Sequence, residues 1–95
     1  MSQDAAAKIN ALLSKRLAQE REHRGISKKS LAALADIDRS TVKFIEDEEE
    51  NPTILNLIRY GLALKLDVGK LLSDCLIPHL ADEGQKEAKS KKLKK

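Results

Sequence analysis

Arg39, Ser40 and Lys43 lie close together at a spacing that puts them on one side of a helix, while Ile37, Val42 and Ile45 take the other. An arginine bonds guanine O6 and N7, and an outward polar helix face is how a major groove is read. Thr41 adds a hydroxyl for a phosphate or a methyl for thymine. This is chemistry of recognition. The parts needed for bond-making are missing: His23, His79 and the single Cys75 have no zinc-ligand spacing, and no glycine-rich phosphate loop occurs. Cys75, on an apolar helical face, reads as a packing residue, and His23 as a cation favoured in the last turn of a helix. The expectation is no enzyme, no metal and no cofactor.

Two short helices joined by a tight turn must position these side chains. Ser27 can cap the first, on which Leu31, Ala32, Leu34 and Ala35 form an apolar face. Asp36 falls where the chain reverses, and a short Asx side chain tolerates a left-handed backbone. Asp38 is then placed to cap the second helix. Upstream, Ile9, Leu12, Leu13 and Leu17 stripe a long helix that Gly25 ends. Downstream, after Asn51-Pro52, Thr53 caps a fourth helix with Leu55, Leu57, Ile58, Leu62 and Leu64 as core candidates and Tyr60-Gly61 at a close-packing point. Asp67 caps a fifth, with Val68, Leu71, Leu72, Cys75 and Leu76, and Pro78 marks its expected end. No strand signal competes with these patterns, and no repeat appears.

The stretch 27–46, SKKSLAALADIDRSTVKFIE, resembles the helix-turn-helix of the phage repressor and Cro group, which includes small bacterial repressors, restriction-modification controllers and antitoxins. Ala32 stands at the family's small-residue position, Val42 and Ile45 at its apolar positions, and Asp36 replaces the turn glycine. Arg21, Asn51-Pro52 and the run LALKLDVGKLL extend the likeness over about three quarters of the chain. The resemblance implies a five-helix, repressor-like bundle that binds double-stranded DNA. It also implies that Lys28, with Lys29 as a weaker addition, touches the DNA backbone, and that Arg21 and Glu46 form an ion pair holding the first helix to the recognition helix. Phe44 lies where many relatives carry a polar reader, and either packs on thymine methyls or turns inward.

Aromatic residues make up only 2% of the chain, so the core must be aliphatic side chains on packed helices. The 95 residues suit one domain, expected over 1–81, followed by a disordered lysine-rich tail over 82–95. That tail dominates the charge. Six Lys and one Glu from residue 86 onward give +5 of the total +3, leaving 12 basic against 14 acidic residues before it. The body is therefore faintly acidic, and the basic pI carries little weight as a sign of DNA binding. The acids at 46–50 sharpen the point: this loop is held clear of a duplex, or weakens binding, or meets a basic protein. No secretory leader or membrane span is legible and the single cysteine excludes an internal disulfide framework, so a reducing cytoplasm is the expected location.

Together these observations predict an all-α DNA-binding transcription regulator, repressor-like and acting at an operator. The alternative is an antitoxin or other protein-interaction module, with a toxin or second regulator as its partner. The fifth helix has more apolar surface than a small bundle can bury, and the family's controllers dimerise through this region. Leu72, Leu76, Ile77 and Leu80 are therefore the expected homodimer contacts.

Overall fold

A computed structural model describes the backbone of residues 2–91 and the side chains of residues 5–80. Among the described residues there are five helices and no strand: α1 (Ser2–His23), α2 (Lys28–Ala35), α3 (Arg39–Glu46), α4 (Ile54–Leu64) and α5 (Val68–Lys91). The all-α, five-helix architecture is the one read from the pattern. None of the helices is long and apolar enough to cross a membrane over the described residues.

The caps follow local chemistry at three of four predicted starts. The Ser30 N–H donates to Ser27 Oγ (3.0 Å), that of Asn56 to Thr53 Oγ1 (3.1 Å) and that of Lys70 to Asp67 Oδ1 (3.0 Å). Each bond satisfies a donor that the first turn leaves unpaired. Asp38 holds the N-cap position of α3 but makes no side-chain cap bond. Its carbonyl alone takes the N–H groups of Thr41 and Val42.

Three helix ends share one device. At Gly25, Asp36 and Lys65 the backbone turns left-handed, with φ of 68°, 57° and 55°. The next residue then reaches back over the last turn: Ile26 N–H to the Arg21 carbonyl, Ile37 to Ala32 and Leu66 to Gly61. Ile26, Ile37 and Leu66 are all half-buried apolar residues packed on the core. The contact they make holds the turn even where the left-handed residue is not glycine. A Cβ in this region costs about 1 to 2 kcal/mol, and least for Asp. Lys65→Gly should therefore raise stability by up to about 1 kcal/mol after the glycine's extra chain entropy, read as a shifted urea midpoint with unchanged slope. Asp36→Gly should gain less.

The core is one cluster: Leu13 and Leu17 of α1, Leu31 and Ala32 of α2, Val42 and Ile45 of α3, Leu57, Tyr60 and Leu64 of α4, and Leu71 and Cys75 of α5. Helix α2 packs on α3 and α4, while α1 packs on α5 and α3. Gly61 sits at the crossing of α4 with the start of α5, where a Cβ would lie 2.5 Å from Val68 Cγ2 and 3.0 Å from the Leu66 carbonyl. Only hydrogen fits there.

Several expectations are corrected. Leu34, Leu55, Ile58 and Leu62 are exposed, not core. Helices α2 and α4 are apolar on both sides, but each can turn only one face inward, and Leu57, Tyr60, Gly61 and Leu64 take that face in α4. Pro78 does not end α5, which runs through it. Proline removes one donor, here the bond to the Asp74 carbonyl, while its φ fits a helix, and both residues lie on the exposed side of α5. The boundary expected at Asp82 falls among residues whose side chains lie outside the described set, although the α5 backbone is described as far as Lys91.

Candidate nucleic-acid interface

Helix α3 has eight residues and two opposed faces. Val42 and Ile45 are wholly buried, whereas Arg39, Ser40, Lys43 and Phe44 are exposed and Thr41 is half-buried. Phe44, 40% exposed, is partly covered and lies at the edge of the outward set. On α2 the neighbouring cations Lys28 and Lys29 are exposed in the first turn, where no acid accompanies them. Positive charge at this end of a helix works against the dipole, by about 0.3 to 1 kcal/mol. Both lysines are thus poorly placed for helix stability.

The far end of α3 is locked. Arg21 Nε donates to Glu46 Oε2 at 2.7 Å and Arg21 Nη2 to Glu46 Oε1 at 3.0 Å, the paired fork geometry of a guanidinium on a carboxylate. Arg21 Nη1 also donates to the Ile26 carbonyl at 2.8 Å, so one side chain ties α1, the α1–α2 turn and α3. Its hydrogen bond to Glu46 holds the guanidinium still more firmly protonated, against the opposing effect of burial. The pairing that the resemblance implied is present.

Sequence reasoning missed the third member. The Tyr60 hydroxyl lies 2.6 Å from Glu46 Oε2 and 2.9 Å from the Leu17 carbonyl, and shares its single proton between them. A lone phenol buried among aliphatic residues must find a polar partner, and that requirement was the available signal. Burial first, and the bond to Glu46 second, push the Tyr60 phenol well above its ordinary value of 10. A group kept neutral in the folded state contributes stability that is complete below the unfolded value and lost as pH rises towards the folded one. Folding stability should therefore fall above about pH 10, and Tyr60→Phe should remove that part of the loss. Tyr60 is the sole tyrosine and the chain has no tryptophan. Tyrosinate absorbance will accordingly report Tyr60 alone, and its ionisation should coincide with unfolding.

The acidic loop follows α3 directly. Asp47 makes an Asx turn, accepting from the Glu49 N–H at 2.9 Å, and the loop's end is pinned to α1 by Asn10 Nδ2 donating to the Glu50 carbonyl at 2.6 Å. Asp47, Glu48 and Glu49 remain exposed. Cys75 is wholly buried, which raises its thiol pKa and leaves it a packing group. Among the described residues no cluster of His, Cys, Asp or Glu could hold a metal.

On α5, Leu72 and Leu76 are half-buried and Ile77 and Leu80 exposed. Less apolar surface is left there than the residue count suggested, because Leu71 and Cys75 belong to the core.

No curated protein is similar enough to match the chain. The helix-turn-helix family model matches residues 17–71, from the middle of α1 to the first turn of α5, and so takes in α2, α3, the ion pair and Tyr60. The match covers more than half of the chain, which therefore belongs to the helix-turn-helix family of phage repressor and Cro type, a family of DNA-binding transcription regulators.

Proposed function

We propose that the protein occupies a specific double-stranded operator in the cytoplasm as a homodimer, reading base edges with Arg39, Ser40 and Lys43 and holding phosphates with Lys28, Lys29 and Thr41. Phe44 supplies an apolar contact for thymine methyls. The observation that carries this reading is the outward face of α3, polar and basic on a helix whose other face and end are fixed by Val42, Ile45 and Glu46. The direct test is a gel shift on DNA upstream of the protein's own gene against random duplex, at several salt concentrations.

Arg39→Ala should weaken specific binding by about 1 to 3 kcal/mol and leave random-sequence affinity nearly unchanged, because base contacts specify while phosphate contacts position. Lys28→Ala should weaken both about equally and cost no folding stability. Equal losses on both DNAs for Arg39→Ala would remove it from the readers.

A second reading, an antitoxin or similar protein-binding module, draws on the exposed apolar face of α4 and the acidic loop beside it. Absence of any preference for the upstream DNA, with the protein monomeric, would favour it.

A further inference from the structure

Helix α4 carries the longest exposed apolar row of the described residues: Ile54, Leu55, Ile58 and Leu62, at 68%, 56%, 50% and 74% exposure. Leu55, Ile58 and Leu62 follow the three-then-four spacing of a helix–helix seam, with Ile54 beside them. Ile58 and Leu62 continue into a shallow depression of about 220 Å³ lined also by Gly61, Leu66, Val68 and Gly69, with Asp67 at its edge. The four side chains leave on the order of 500 Å² of apolar surface in water, at the upper end for a monomer. None of it belongs to α3, so covering it leaves the DNA-facing side free.

We propose that this face is the two-fold contact between two copies of the chain, with α4 packed antiparallel on α4 of the second copy and Ile58 at the axis. The proposal rests on the dimeric reading above and places its interface on α4, in preference to the α5 residues expected from sequence. Two observations select a second copy as the occupant. The first is area: two such stripes facing each other bury roughly 1,000 Å², the threshold of a specific interface. The second is charge. Asp47, Glu48 and Glu49 are exposed before the N-terminal end of α4, while Lys65 is exposed at its C-terminal end, with Asp67 two residues on and Lys70 paired with Asp74 at 3.5 Å. An antiparallel two-fold brings the acids of each copy towards Lys65 of the other, twice over. The acidic loop, which would oppose a duplex, thereby gains a partner.

Light scattering and disulfide trapping on the full chain test the assignment. The wild type should be a dimer at micromolar concentration. Leu62→Glu should raise the dimer dissociation constant about 100-fold or more with the helical circular dichroism unchanged, since the residue is exposed in the monomer, whereas Ile77→Glu should change it less than about threefold. Ile58→Cys should form a covalent dimer under mild oxidation, with the buried Cys75 taking no part. Glu48→Lys and Lys65→Glu should each weaken the dimer, and their combination should restore it. A dimer broken by Ile77→Glu but not by Leu62→Glu, with no trapping at position 58, would put the contact on α5 and overturn this inference while the operator reading survives. A monomeric wild type would overturn the inference and the dimeric reading together.

Discussion

Replacing Arg21 by alanine should cost about 3 to 5 kcal/mol of folding stability, a large share of what a domain this size possesses. The two partners' side chains are 8% and 6% exposed, so the surviving Glu46 carboxylate would be left charged and almost without water. The Ile26 carbonyl loses its donor as well. What is expensive is the broken pair, not the absence of a pair. Arg21→Met with Glu46→Leu should accordingly recover most of the loss, because two apolar side chains of similar size carry no desolvation penalty and Tyr60 keeps the Leu17 carbonyl. Urea unfolding of the wild type, both single variants and the double variant measures this directly. A loss below about 1 kcal/mol for Arg21→Ala would mean that the pair behaves as a solvated surface bridge.

Ile45→Ala should destabilise by about 2 to 5 kcal/mol, and Ile45→Val by only about 0.5 to 1.5 kcal/mol. Helix α3 is too short to be stable alone, and among its eight residues only Val42 and Ile45 are buried apolar anchors. Removing three carbons from one of two anchors leaves a cavity in the core cluster to the extent that its neighbours fail to close it. The graded series distinguishes loss of packing from loss of the helix. If the valine variant were as damaged as the alanine one, shape at this site would matter more than buried volume.

The turn from α2 to α3 was legible because its determinants are local. A cap at Ser27, a left-handed Asx at Asp36 and opposed faces on α3 can each be read within a few residues. The Arg21–Glu46 pair, separated by 25 positions, came only through resemblance, since spacing says nothing about a contact between helices not yet oriented. Tyr60 was placed in a packed region without its hydrogen bonds for the same reason. On α4, hydrophobicity could not choose between two apolar sides, so Leu55, Ile58 and Leu62 were assigned to the core. What decides is which side Gly61 lets approach Leu66 and Val68. Lys65 resisted reading because a left-handed lysine is held by the apolar contact of the residue after it. Pro78 lies on the exposed side of α5, and the helix runs through it despite the missing donor.

The layout of charge around α3 also bears on how the protein finds a duplex. Cations stand at the N-terminal ends of α2 and α3, while Asp47, Glu48 and Glu49 follow the C-terminal end of α3, their loop pinned by Asn10. The body before the lysine-rich stretch is close to neutral, so a polyanion exerts little net pull on it and a strong torque. On the proposed reading, in which Arg39 and the two lysines face the duplex, these separated charges would turn an approaching molecule before it touches, with the cations leading and the acids trailing. The loop whose charge opposes the encounter would thus narrow the angles at which it succeeds, discarding misaligned collisions within about a Debye length of the surface.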